Sequence, residues 1–300
     1  MHSFVVIKVN LVTDSINSCD HENYHKYSVH QQQVILDTIN QADFSQAIEI
    51  SSAIISQLDN VKAEAPRNKR NNIFIETSKF RVLNHLSKFW RFVLHGQYYN
   101  SWCSLQDALD NLRDVKRFSN YDSALVSFFE VQLKAIESIY PYQLFTSIGI
   151  IFEGCNCNIC GKDIDSVECL HIQGELYDGE IAIGIMQNIK IDHNALVKNP
   201  ENKRSVIAAD DNHPDMIVLK DIRQYVLQHE LKPLGFKDIL KVEFDKKNDD
   251  YIELKSNQKC FCGSDVKFKK CCRGKKNIHC KHYEIINAQI DIPAILGISI

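Results

Sequence analysis

The chain has 300 residues and a mass of 34.5 kDa, more than one small core needs, since domains usually run roughly 50–250 residues. Its 44% hydrophobic and 24% charged residues exclude wholesale disorder, and 11 Gly with 6 Pro exclude collagen-like and turn-dense all-β architectures. The net charge of −3 hides an asymmetry: residues 255–281 hold nine Lys and Arg against the single acid Asp265, so a local +8 sits on a body of −11.

The start, Met1 to Lys8, has neither a basic leader nor a long hydrophobic stretch, and no apolar run approaches the roughly 20 residues that cross a bilayer. A cytoplasmic protein with no membrane partner is expected. Residues 44–58 place Phe44, Ala47, Ile48, Ile54, Ile55 and Leu58 at helical spacing, and the polar stretch Pro66 to Asn72 reads as an exposed linker. A second apolar stripe, Phe80 to Val93, stops at Gly96, which suits a helix C-terminus. Ser104 followed by Asp107 resembles an N-terminal cap for a stripe from Leu105 to Val115. A further helix carries Leu125 to Tyr140 and ends at Pro141. The aromatic pair Phe89 and Trp90 follows the helical period, so it belongs to a core.

After Pro141 the pattern changes. Leu144 to Phe152 is short and β-branched, Ile181 to Ile191 keeps period-two parity, and Leu240, Val242 and Phe244 alternate with Lys241 and Glu243. Between the last two, His213-Pro214 opens a helix with Ile222, Tyr225 and Val226 on its buried face. The expected class is α+β: a mostly helical domain over 1–141, a small α+β domain over 142–250, a cysteine knuckle over 255–275 and an extension over 276–300.

Eleven cysteines in a chain of this length, odd in number and mostly clustered, point to metal thiolates in a reducing compartment and away from a disulfide framework. In the middle, Cys157-Asn158-Ile159-Cys160-Gly161 can present two thiolates from one turn, and Cys169-Leu170-His171 can complete a Cys3His set. Cys155 is a competing ligand in the same loop, and a redox C-x-x-C pair is the alternative to a metal site. Gly174 to Gly179 is turn-like. The combination resembles a zinc module of phage-associated and uncharacterised bacterial proteins, a likeness that implies no catalytic role.

Towards the end, Cys260, Cys262, Cys271 and Cys272 are spaced C-x-C-x8-C-C, so four thiols can converge on one tetrahedral ion. Gly263-Ser264 supplies a turn, and Lys267, Lys269, Lys270 and Arg273 offset the charge of the thiolates. The run from Asn257 through Gly274 closely resembles the SEC-C motif, found at the tail of the bacterial protein-translocation ATPase and at the ends of many bacterial proteins. The resemblance implies zinc on those four cysteines, with Cys272 as last ligand where His is the alternative, and docking to a chaperone or the ribosome. Asp265 departs from the glycine usual there. The motif usually ends a chain, whereas this one continues to an apolar end, Ile292 to Ile300, expected to pack back on the body.

Two zinc ions are therefore expected, both in closed, structural sites, and a binding or adaptor protein is the leading reading. The cationic stretch can also meet nucleic acid. An alternative resembles the layout of HNH nucleases, with Asp192-His193, Asn194 and His213, His193 being the base that activates water and the later polar residues holding the catalytic ion; a toxin or defence component is another. Phosphate-binding loops, nucleophile elbows and dinucleotide fingerprints are absent.

Overall fold

The computed structural model describes residues 21–119, 123–207, 210–247, 254–261 and 266–298. Met1 to Lys8, Cys19, Cys262, the Gly263-Ser264 turn and Asp265 lie outside the described residues. Among the described residues five helices come first: α1 (His21–Asn40), α2 (Phe44–Glu64), α3 (Arg67–Leu94), α4 (Tyr98–Phe118) and α5 (Ala124–Ser138). Then follow strands β1 (Phe145–Ile151), β2 (Gly154–Cys157), β3 (Leu176–Tyr177), β4 (Glu180–Ile181), β5 (Gly184–Gln187) and β6 (Lys190–Val197). Helix α6 (Ile217–Leu227), strands β7 (Phe236–Lys247) and β8 (Asn277–Asn287), and the short α7 (Ile292–Ile295) complete an α+β fold.

The expected linker at 66–72 is helix. Pro66, extended at ψ 148°, is the cap residue of α3, and the polar side chains after it occupy an exposed first turn. Arg70 reaches back to the Ala65 carbonyl at 2.8 Å, satisfying an orphan acceptor at the end of α2. The break between α2 and α3 is thus only two residues long. Ser104 likewise is no cap: it is buried inside α4, which starts six residues earlier. Gln97, the cap residue, makes no side-chain bond; Asp211 supplies the missing acceptor from across the fold, taking the Tyr99 N–H at 2.7 Å.

The core does not stop at residue 141. Leu83, Leu86, Phe89, Trp90, Leu105, Phe129 and Leu133 pack in one cluster with Phe145, Leu219, Ile222, Leu234, Phe236, Ile292 and Ile295. Polar ties reinforce the junctions. Buried Gln132 donates to the Leu234 and Phe236 carbonyls at 2.6 and 3.2 Å, fixing the start of β7 on α5. Arg223 of α6 donates to the Leu94 carbonyl at the end of α3 at 2.7 Å. Trp102 donates to the Lys203 carbonyl at 2.7 Å, and Arg204 pairs with Asp107 and Asp110 at 2.6 and 2.7 Å, holding the loop before α6 on α4.

Among the described residues all strand pairing is antiparallel and two-stranded: β1 with β6, β2 with β5, β3 with β4, β7 with β8. The single alternating strand expected over 181–191 is three pieces, interrupted between them at Ala182-Ile183 and at Asn188, whose φ of 52° an extended strand cannot hold. Strands β1 and β2 run on from one another, as do β5 and β6, so the two pairs form one long ribbon with the 158–183 segment at its end. β7 and β8 form a second ribbon, paired from Phe236↔Asn287 at the body to Lys247↔Asn277 at the far end. At about 3.3 Å per residue its twelve-residue strand β7 spans about 40 Å. The cysteine knuckle is inserted between these two strands. It is therefore the tip of a hairpin arm and not a terminal tail, and the chain returns along β8 so that Ile292 and Ile295 of α7 join the body core.

Candidate metal centres

The first centre is built at the end of the first ribbon. Cys157 is the last residue of β2, where its backbone N–H donates to the Lys162 carbonyl at 2.8 Å and its carbonyl accepts from Gly161 N–H at 2.8 Å. Gly161 closes this turn at φ 72°, a conformation that glycine adopts without penalty. The turn swings Cys160 back beside Cys157, while Asn158 pins the opposite strand through the Ile181 carbonyl (3.1 Å) and the Ile183 N–H (2.8 Å). Cys169 and His171 arrive on the following loop. The His171 ring meets the Tyr177 ring edge-on at 4.8 Å, and Tyr177 Oη accepts from Ile172 N–H at 3.0 Å, which orients the histidine.

The outcome is four ligand atoms, from Cys157, Cys160, Cys169 and His171, all within 4.8 Å of one another. Cys160 and Cys169 Sγ are 3.7 Å apart, and Cys157 Sγ is 3.7 Å from His171 Nδ1. A tetrahedron with metal–sulfur bonds of about 2.3 Å has edges of about 3.8 Å, so the thiol separation suits ligands around one ion and is far beyond a disulfide bond. Burial tends to raise the Cys157 thiol, but backbone N–H groups of Cys160 and Ile159 aimed at its sulfur outweigh this and lower its pKa. At Cys169 the backbone of His171 acts downward, yet burial and the adjacent Cys160 and Cys157 prevail and raise it. Such opposed shifts are those of thiols crowded around a shared charge. Cys155 is not in the group: its Sγ lies over Gly184, where a Cβ would collide with it.

The far side of this centre is tied down. Asp178 (φ 50°) and Gly179 (φ 81°) make the two-residue turn between β3 and β4. Asn71 of α3 accepts from Gly179 N–H at 2.7 Å, Lys62 of α2 donates to the Gly179 carbonyl at 3.2 Å, and Arg117 of α4 pairs with Glu175 at 2.7 Å. Sequence reasoning missed this clamp; the Asp-Gly turn was visible, but nothing in it named the helices it would meet.

The second centre is smaller. Lys259 and Lys267 form a bridge, Cys260 N–H donates to the Val266 carbonyl at 2.8 Å, and Phe268 N–H donates to Gln258 at 2.9 Å. A 3-10 turn, Phe268–Lys270, then delivers Cys271, whose φ −120° and ψ −85° bring its sulfur to 3.7 Å from that of Cys272. Cys260, Cys271 and Cys272 lie within 4.8 Å of one another; Cys262, the fourth expected ligand, lies outside the described residues. Phe268, Ile278, Cys260 and Cys272 form a miniature core separate from that of the body, and Ile278 ties it to β8. Lys267, Lys269, Lys270, Arg273, Lys275 and Lys276 are exposed around it.

Asp192, His193 and His213 do not assemble a comparable site. Asp192 and His193 are exposed on β6 with the ring of His193 laid over Gly149, and His213 Nδ1 accepts from Asp215 N–H at 3.2 Å before α6. Among the described residues, none of the three belongs to a cluster of three or more possible metal ligands.

Comparison with known proteins agrees at one place. The family model described as the SEC-C motif matches residues 257–274, covering the second centre. No curated protein and no solved structure matches the chain. The chain thus carries a SEC-C motif and two Cys/His clusters able to hold metal, and among the described residues no helix is long and apolar enough to cross a membrane.

Proposed function

We propose that this is a zinc-binding, non-enzymatic adaptor of a reducing compartment, the cytoplasm, which recruits a partner through the SEC-C-like knuckle at the tip of the β7–β8 arm. The observation that supports it most is the knuckle's placement: a small metal core with its own packing, surrounded by exposed cations, carried at the end of a ribbon about 40 Å long. Thiolate-rich ligand sets of tetrahedral spacing favour zinc; the first centre offers four protein ligands and Cys262, outside the described residues, would complete the second, which suits structural sites, since catalytic zinc keeps a position for water. The first centre then stiffens the ribbon that caps the helices, while the second shapes the binding tip. The motif's resemblance favours a chaperone or the ribosome as partner, and the cationic rim suits an acidic protein surface or nucleic acid.

The arm's register provides a clean test. Lys247 and Asn277 are paired, so residues 248–276 can be replaced by an Asn-Gly turn that closes the hairpin without disturbing β8 or α7. Affinity capture with the intact chain should recover a defined partner that the excised variant does not. An identical set of partners from both would contradict the recruitment role.

A further inference from the structure

The first ribbon carries most of its exposed aliphatic side chains on the face opposite Phe145 and Val197. Antiparallel ribbons that cover a core normally turn apolar residues inward and polar ones to water. Here the face of β1 and β6 that begins with Phe145 and Val197, packed on the core, continues with Ser147, Ala195, Gly149 and His193 and ends at Ile151 opposite Lys190, where it too is open to solvent with Ile151 58% exposed. The outward face pairs Thr146 with Leu196, Ile148 with Asn194, and Ile150 with Ile191. Leu196, Ile148 and Ile191 are 67%, 58% and 74% exposed.

A bulge sets this arrangement. Gly149 pairs with His193 but Ile150 pairs with Ile191, leaving Asp192 as the extra residue. Regular pairing would place Ile191 opposite Ile151, on the inward face; the insertion moves it beside Ile150 and completes an aliphatic row. With Phe152 and Ile189, exposed at the kink just beyond, the row offers on the order of 600 Å² of apolar surface. A standard stable interface takes about 800 Å² from each partner, roughly 60% of it apolar, so the supply matches.

We propose that this outward face is the interface between two copies of the chain, packed ribbon on ribbon across a twofold axis. The paired residues of the face include no charge, which leaves nothing to attract a polyanion, and a row of branched aliphatics is complementary to itself. The dimer is independent of the arm, which lies on a different ribbon.

Sedimentation equilibrium of the full, metal-loaded chain tests it. The wild type should give the mass of two chains at micromolar concentration. The Ile148→Lys, Ile191→Lys double variant should give about half that mass, with unchanged metal content and melting temperature. Leu196→Lys provides a second variant with the same expectation should the double one unfold. A monomeric wild type overturns the proposal, as does a folded variant that keeps the dimer mass. The arm-excised chain should still be dimeric, so failure here is distinguishable from failure of the recruitment role.

Discussion

His85 on α3 shows how far one buried side chain can set the pH response of the body. Burial is the main reason that its pKa falls to about 4; Asp107, with Oδ2 at 3.6 Å, opposes this, and Lys88, Arg81 and Arg204 add to it. The folded protein therefore holds His85 neutral where the unfolded chain, near pH 6.5, would protonate it. Above that pH the residue contributes nothing to the pH dependence. As pH falls towards 4 the unfolded state binds the additional proton and stability declines. The shift corresponds to about 2 kcal/mol lost between pH 7 and pH 5. Denaturant titrations of wild type and His85→Asn at both pH values should differ in slope against pH by about that amount, with the variant flatter. Parallel pH profiles would show that His85 is protonated equally in both states.

At the scale of elements, both Cys/His clusters able to hold metal sit at the ends of two-stranded ribbons, which are marginally stable alone. Their consequences differ because their surroundings do. The first centre is clamped to α2, α3 and α4 through Lys62, Asn71 and Arg117, so Cys160→Ser should lower the main thermal transition by several degrees as it loses one metal ion. The second has its own small core, so Cys271→Ser should unfold the tip and loosen the outer half of β7–β8 with little change in the main transition. Equal shifts in both melts would mean that the tip is integrated with the body. What the sequence revealed of these elements follows from range. C-x-x-C-G and C-x-C-x8-C-C are local patterns whose ligands lie within about fifteen residues, and they were legible. The pairing of β7 with β8 across the knuckle was not, because period-two alternation identifies a strand and not its partner. Residues 66–72 differ for the opposite reason: their polar composition suggests a linker, but an exposed first turn of a helix after Pro66 has the same composition.

For the whole molecule, the helical core and the α+β class were legible in the apolar stripes, since these recur at the helical period and most of their residues reach the core; Tyr225, expected on the buried face of α6, is instead 42% exposed. The polar ties that hold the start of β7 and the loop before α6 on the helices come from single side chains such as Gln132 and Asp211, more than 75 residues from what they bind, and no local pattern marks them. The resulting body carries one ribbon held at both ends and one held only at its base among the described residues. Two copies joined by the first would present two arms, and a partner with two sites would be held more tightly than by one arm. The adaptor reading depends on metal closing both ribbon ends. Elemental analysis of the full chain, purified under reducing conditions without added metal, tests that most directly. The account predicts two zinc ions per chain, falling to one in Cys160→Ser and to one in Cys271→Ser. One ion in the wild type would remove one of the centres, and none would contradict the account.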